Sequence, residues 1–320
     1  MTAVSRFSII NEVMERSGNL LSAAELCRLA KVSRSGYYRW LGAAPKRQEL
    51  EESDAKDFQK VLQAYEYRGY RKGTRSIHMR LLHTGVLMNV KKIRRLMNKY
   101  GLRCPFRGAN PYRRLAMDLK TDTVFPNVVD RKFLKGKARK VLLTDITYLR
   151  YNGTFCYLST ILDAFTREIL AYQLSDNLKV DFVLNTVDEL TERYGCELDN
   201  TTTVHSDQGC HYTSYAFIAK IKDSGFVQSM SRKGQCWDNA PQESFFGHMK
   251  DEIMFYVKMC STYEEVQARI DDWIDYYNND RYHWDLAKLS PKEYYTFITT
   301  GYYPLPIAHP SRGSAPDPEV

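Results

Sequence analysis

The chain has 320 residues, 43% hydrophobic and 13% aromatic, enough material for two or three domains with real cores. No run of about 18 apolar residues occurs, and the opening MTAVSRFSIINEV lacks a signal-peptide pattern, so neither a membrane span nor a leader is expected. The net charge of +8 hides an asymmetry: residues 1–140 carry 31 Lys and Arg against 12 Asp and Glu (net +19), and residues 141–320 carry 15 against 26 (net −11).

A basic half suits a polyanion such as DNA, and an acidic half suits cations. Ordinary solvated helix faces are the plainer alternative for the basic half. Seven cysteines lie at 27, 104, 156, 196, 210, 236 and 260, with no C-x-x-C pair. An odd, scattered set argues against a disulfide framework or a cysteine zinc site and fits a reducing, cytoplasmic setting.

Residues 22–41, SAAELCRLAKVSRSGYYRWL, read as two short helices, with Ser22 and Ser33 as N-caps. The spacing is that of a helix-turn-helix, with Arg34, Arg39 and Tyr37 or Tyr38 available on the second helix. Residues 46–66 are charged and helical in pattern. In 67–102, Ile77, Leu81 and Leu82 form one apolar stripe, Gly85 breaks the helix, and Asn89 caps another helix with Val90, Ile93 and Leu96 inward. Lys91, Lys92, Arg94, Arg95 and Lys99 fill its other faces with no acids between them, which suits a phosphate backbone. Residues 103–140, with three prolines and many cations, read as a basic linker.

From about residue 139 the pattern turns to strands. VLLTDITYLRYNG (141–153) and TFCYLSTILDAF (154–165) read as a hairpin about an Asn-Gly turn. EILAYQLSDN (168–177), TTTVHSD (201–207) and FVQSMS (226–231) read as three further strands. Helices are expected at 180–195, 214–225, 238–255 and, as the final one, 263–280; Asp238 or Asn239 is expected to cap the third. The order of elements predicts an α/β fold with a mixed five-stranded sheet flanked by helices, behind an all-α helix-turn-helix region. The expected divisions are 1–60 and 61–104 for two helix-turn-helix units, 105–137 for the linker, 138–300 for the α/β core with its C-terminal helices, and 301–320 for a disordered tail.

Three acids stand out. Asp145 lies mid-strand, where an unpaired acid is costly. Asp207 ends the fourth strand, and Glu243 lies in the first turns of the helix after the fifth. If the first and fourth strands are neighbours, the three meet. Clustered carboxylates repel one another and shift their pKa values upward, and divalent cations remove that cost. Oxygen-only ligands suit Mg2+ or Mn2+. Two such ions activate a water or a 3′-hydroxyl and stabilise the leaving oxygen of a phosphodiester. Singly, each acid could be a turn cap, an edge residue or a surface residue.

Asp207 and Glu243 are separated by 35 residues, the D,D-35-E spacing of retroviral-type integrases and related transposases, and Lys250 stands seven residues beyond Glu243 as in that group. "TDITYL", "LDAFTREIL", "HSDQGCHYTS", "SRKGQCWDNAPQESFFGHMKDE" and "YYNNDRYHWDLAKLSPKEYY" resemble the catalytic protein of bacterial insertion-sequence family three. "KVSRSGYYRWL", "YRGYRKGTRSIHMRLL" and "VKKIRRLMNKYGL" resemble its helix-turn-helix region, and "NPYRR" and "PNVVDRKF" its linker. The likeness covers roughly residues 20–297, in order. Departures are Val141-Leu142-Leu143 where many relatives carry a Trp, His211 where Gln is common, and WDLAKLSP where a Gly often follows the Leu; none touches the acids.

The resemblance implies an RNase-H-like core that cleaves and joins DNA at the ends of a mobile element. It implies Asp145, Asp207 and Glu243 as ligands of two Mg2+ or Mn2+ ions, with Lys250 as a basic partner. It further implies element-end and target DNA as partners, a homo-oligomer on DNA, and an upstream-frame protein joined by frameshifting. Arg281 and His283 are expected near DNA, and Trp237 in the core, as a loop anchor, or at DNA. A zinc site from His205, Cys210 and His211 is disfavoured because strand neighbours point apart. No G-x-S-x-G and no P-loop occur. The competing readings are a non-catalytic DNA-binding regulator and an RNase-H-type hydrolase of hybrids.

Overall fold

The structure, a computed structural model, describes residues 1–70, 72–104, 127, 129, 137–231 and 239–306. Most of the expected basic linker, Trp237, Asp238 and most of the expected tail lie outside the described residues.

The N-terminal unit packs α1 (Ala3–Glu15), α2 (Ala23–Leu29) and α3 (Arg34–Gly42) around Ile10, Leu26, Cys27 and Tyr37. Ser22 and Glu25 form a full capping box, and the Ser33 hydroxyl accepts from the Gly36 amide at 3.1 Å, so both expected caps are made. Gly36 also lets α1 come close: a Cβ there would stand 3.1 Å from the Phe7 ring. Tyr37 is core, and Tyr38 is the exposed one of the pair. Helix α1 was not anticipated. Its apolar residues make sense only against α2 and α3, and its signal is a single Thr2 cap.

Next, α4 (Ala44–Glu66), α5 (Thr74–His83) and α6 (Val90–Lys99) enclose Val61, Ile77, Leu81, Ile93 and Leu96. Asn89 caps α6 by accepting from the Lys91 amide, and Gly85 and Gly101 take the left-handed conformation that ends each helix.

The α/β core contains β1 (Val141–Tyr151), β2 (Thr154–Asp163), β3 (Ile169–Ser175), α7 (Asp181–Tyr194), β4 (Thr203–Ser206), α8 (Tyr215–Asp223), β5 (Val227–Met230), α9 (Ala240–Met259), α10 (Tyr263–Asn279) and α11 (Pro291–Thr300). The sheet order is β3-β2-β1-β4-β5; β1 to β3 run antiparallel, and β4 and β5 run parallel to β1. Asn152 and Gly153 both have positive φ, which the tight hairpin turn requires. Alternation along β1 sends Leu142 to the layer of α7 and α8, with Val187 and Phe217. Leu143 and Leu149 go to the opposite layer, with Phe245 and Met249 of α9 and Trp273 of α10. By the same parity Asp145 belongs to the α9 face.

Helix α10 is not the last. Ser290 and Glu293 form a capping box with Pro291 in the first turn, a start signal legible in "SPKE", and α11 follows. This C-terminal region carries the α4–α6 unit. Arg68 reaches Asp272, Asp275 and Asp280; Leu82 packs with Leu286, Leu289 and Tyr294; and His83 pairs with Glu293 while stacked on Tyr282.

Candidate active site

The β1–β4 pairing sets the site. Leu143 stands beside His205, the last pair of the parallel register, and Asp145 and Asp207 each lie two residues beyond it. Asp145 is partly buried, and one of its oxygens accepts from the Ile146 amide at 2.8 Å. Its pKa is pushed up to about 7, first by burial and then by the negative charge of Asp207 and of Glu243, against the Ile146 amide and the Lys250 ammonium. The charges of Asp207, Glu243 and Lys250 thus all act on the Asp145 carboxyl.

Asp207 is exposed just past β4, with Oδ1 accepting from the Gly209 amide at 2.8 Å. A side chain at Gly209 would put its Cβ 2.9 Å from that oxygen, so any other residue would have to displace the carboxylate or shift itself. Glu243 lies in the first turn of α9, where the helix dipole favours a carboxylate. The next-door Gln242 is fully buried and donates its amide to the Thr160 hydroxyl. Thr160 is the β2 residue paired with Asp145, so this bond fixes the Glu243-bearing turn beside Asp145. Lys250, two turns on, is partly buried, and burial lowers its pKa while Asp145 opposes the shift. On the opposite face Tyr212 is buried with its hydroxyl 3.5 Å from Thr144, under the field of Asp145 and Asp207. Nothing in the sequence pattern flagged Gln242, Thr160 or Tyr212; the only signal was adjacency to the acids.

The donor chemistry fits a hard divalent cation. The three acids singled out from the sequence offer oxygen donors only, and Asp145 carries an electrostatic cost that such a cation would remove. The arrangement is open: among the described residues no three Asp, Glu, His or Cys side chains already stand at metal-binding spacing. The two histidines considered for zinc have other partners. His205 is buried against the Ser229 hydroxyl at 2.9 Å, and His211 Nε2 meets the Leu178 carbonyl at 2.7 Å.

Several expectations need correction. Asn239 stands at the N-cap position of α9, but its side chain makes no capping bond, and its buried Oδ1 has no hydrogen-bond partner among the described residues. The cations of α6 lack acids on their own helix, but α4 supplies them. Arg95 pairs twice with Asp54 at 2.6 Å, Lys99 with Asp54 and Glu51, and Lys92 with Asp57. Lys91 and Arg94 remain exposed without an ion pair among the described residues, as do Arg34 and Arg39 on α3. Arg281 is not at a DNA surface. It is largely buried and grips Glu252 with two nitrogens at 3.0 and 3.1 Å. Its neighbour His283 is held neutral, its pKa driven well below the usual value by burial and by Arg281.

Residues 136–236 and 243–296 match a family described as the integrase core domain, and residues 52–110 match one described as an HTH-like domain. The chain is 32% identical over 270 residues to the putative transposase InsK for insertion sequence element IS150 of Escherichia coli K12, covering 84% of this chain and 92% of that protein. It is 29% identical over 268 residues to the 31 kDa protein of insertion element IS600 of Shigella sonnei, covering 83% and 96%. A solved structure similar to part of it is the HTLV-2 integrase catalytic core domain in complex with magnesium, at 12% identity and a TM-score of 0.38, covering 49% of this chain and 97% of that one.

Proposed function

The chain belongs to the transposases of bacterial insertion-sequence family three, enzymes with an integrase core, and on that premise we propose how its residues carry the reaction. It cleaves and joins DNA strands at the ends of a mobile element and inserts the element into target DNA. What supports this is the parallel β1–β4 register that runs towards Asp145 and Asp207, with the first turn of α9, which bears Glu243, tied by Gln242 to the strand position paired with Asp145.

Asp145, Asp207 and Glu243 are the residues that would hold Mg2+ or Mn2+, two ions in the reading of the sequence. When bound, such ions lower the pKa of an attacking water or hydroxyl and neutralise charge on the phosphoryl oxygens. The chain's own residues do the rest. The Gly209 amide orients Asp207, and the bond from Gln242 to Thr160 holds the Glu243 turn beside the sheet. Lys250 sets a cation next to the acids, where a DNA phosphate can meet it. The reaction proposed is direct in-line attack on the phosphodiester.

The HTH-like region and Arg34, Arg39, Lys91 and Arg94 would contact DNA, Lys92, Arg95 and Lys99 being tied to α4. We read residues 1–60 and 61–104 as DNA-binding units, 105–137 as a linker, 138–300 as the catalytic core and 301–320 as a tail. A homo-oligomer on DNA, an upstream-frame partner and a bacterial, nucleoid-associated cytoplasmic setting complete the proposal. No described helix is long and apolar enough to cross a membrane.

The deciding experiment compares wild type with Asp207→Asn on labelled element-end duplexes, with Mg2+, with Mn2+ and with EDTA. Joining is expected only with a divalent ion, and the variant should lose joining while keeping end binding. Joining by the variant at the wild-type rate would remove Asp207 from the chemistry. Cleavage of an RNA–DNA hybrid in preference to DNA ends would favour a hydrolase, and end binding without cleavage under any ion would favour a regulator.

A further inference from the structure

We propose that Arg75, Trp284 and Lys288 form a contact site for a DNA phosphodiester backbone at the seam between the α4–α6 unit and the segment joining α10 to α11. The inference rests on the reading of the chain as a DNA strand-transfer enzyme and adds to it a surface built from both units.

Trp284 is 40% exposed, whereas Trp273 is fully buried in the core. The Arg75 guanidinium lies 5.3 Å from the centre of the Trp284 ring, and the Lys288 ammonium lies 5.4 Å from it. His78, one turn along α5 from Arg75, has its ring centre 6.0 Å away. Two cations are thus gathered at one exposed indole. Neither forms an ion pair with a carboxylate among the described residues, and the exposed Asp285 next to Trp284 does not pair with them. Elsewhere along this seam Arg68 is paired with three aspartates, Arg80 with Asp280 and Arg281 with Glu252, while the buried Lys72 ammonium donates to the backbone carbonyls of Tyr65, Tyr67 and Tyr70.

The backbone is shaped to make this arrangement. Ala287 and Lys288 are consecutive non-glycine residues in the left-handed region, with φ of 53° and 65°. The Lys288 amide donates to the His283 carbonyl, and the Tyr303 hydroxyl to the Ala287 carbonyl. Buried Leu286 and Leu289 anchor both ends of the turn. Strained backbone of this kind persists only where surrounding structure enforces it, and it concentrates at ligand sites. Uncompensated like charges beside an exposed aromatic ring are relieved by an incoming phosphate, and the ring offers a stacking face for the sugar or base beside it.

The test is the salt dependence of binding to a short fluorescein-labelled duplex of arbitrary sequence. Each phosphate contact contributes about −0.9 to the slope of log affinity against log salt. Arg75→Ala and Lys288→Ala should each reduce the magnitude of that slope by about one. Trp284→Phe, which keeps a ring, should leave the slope as it is and remove a share of the tryptophan quenching that DNA causes. Circular dichroism melting of each variant identifies any loss of fold. A folded Arg75→Ala and a folded Lys288→Ala that keep the wild-type slope would overturn the site, and the three side chains would be a staple between units. That result leaves the transposase reading intact, because wild type would still bind and join DNA. Failure of wild type to bind any duplex would overturn both.

Discussion

Gln242 and Thr160 share a buried hydrogen bond, and it joins the first turn of α9 to the strand position facing Asp145. The bond spans 82 residues of chain and lies directly behind Glu243. Gln242→Leu keeps the volume and removes the donor. Outer groups that orient metal ligands are worth about 10- to 100-fold in metal affinity. The variant should therefore need at least about tenfold more Mn2+ for half-maximal strand joining, with duplex binding unchanged. An unchanged Mn2+ requirement would show that the turn is held without this bond.

Gly209 tests the Asp207 carboxylate in the same way. An added Cβ would stand 2.9 Å from Asp207 Oδ1, so Gly209→Ala must displace one or the other. Misplacing a reacting group by about 1 Å costs on the order of 10²-fold in rate. Joining should fall by that order while the melting temperature barely moves, since the turn is at the surface. Wild-type activity in this variant would mean that the carboxylate orientation seen here is not the working one.

Arg281 and Glu252 form a largely buried pair. Removing one partner leaves an uncompensated buried charge, so Arg281→Ala should lose about 3 kcal/mol of stability in urea unfolding. Replacing both, as Arg281→Met with Glu252→Gln, which keeps an acceptor for the buried Trp273 indole, should recover most of it. Neither change should alter the salt slope of duplex binding; a slope reduced by about one would return Arg281 to the DNA surface.

Asp54 lies beneath Arg95 and Lys99, whose hydrogen bonds hold its carboxyl well below the usual range. A carboxylate depressed in the folded state contributes stability that is fully present above its unfolded pKa of about 3.9, and that is lost as pH falls through the folded value. Asp54→Asn should lower the melting temperature at pH 7, and the gap to wild type should narrow only below about pH 4. A gap constant down to strongly acid pH would mean that the pairs contribute nothing in the folded protein.

The positions of the three proposed acids on their elements were legible because they are a matter of period and spacing. Asp145 interrupts a strand, Asp207 ends one, and Glu243 opens a helix. The sheet order then needed only β1 beside β4, which the parallel register supplies. The charges of the DNA-binding half were not legible in the same way. The five cations of α6 look free along their own helix, and three of them are bound to a helix that precedes them by about forty residues.

What the sequence determined by itself is what interactions within about four residues decide. Ser22, Ser33 and Asn89 cap their helices, Asn152-Gly153 makes the hairpin turn, and alternating residues of β1 assign each side chain to a face. Only the tertiary structure decided that Arg281 is neutralised by Glu252, that Gln242 secures the Glu243 turn, that α1 folds onto α3, and that Trp284 collects cations from two units. A cap or a turn is fixed by chain geometry at short range. A charge's role depends on which counter-charge packing brings within a few ångströms, and that partner can lie anywhere along the chain.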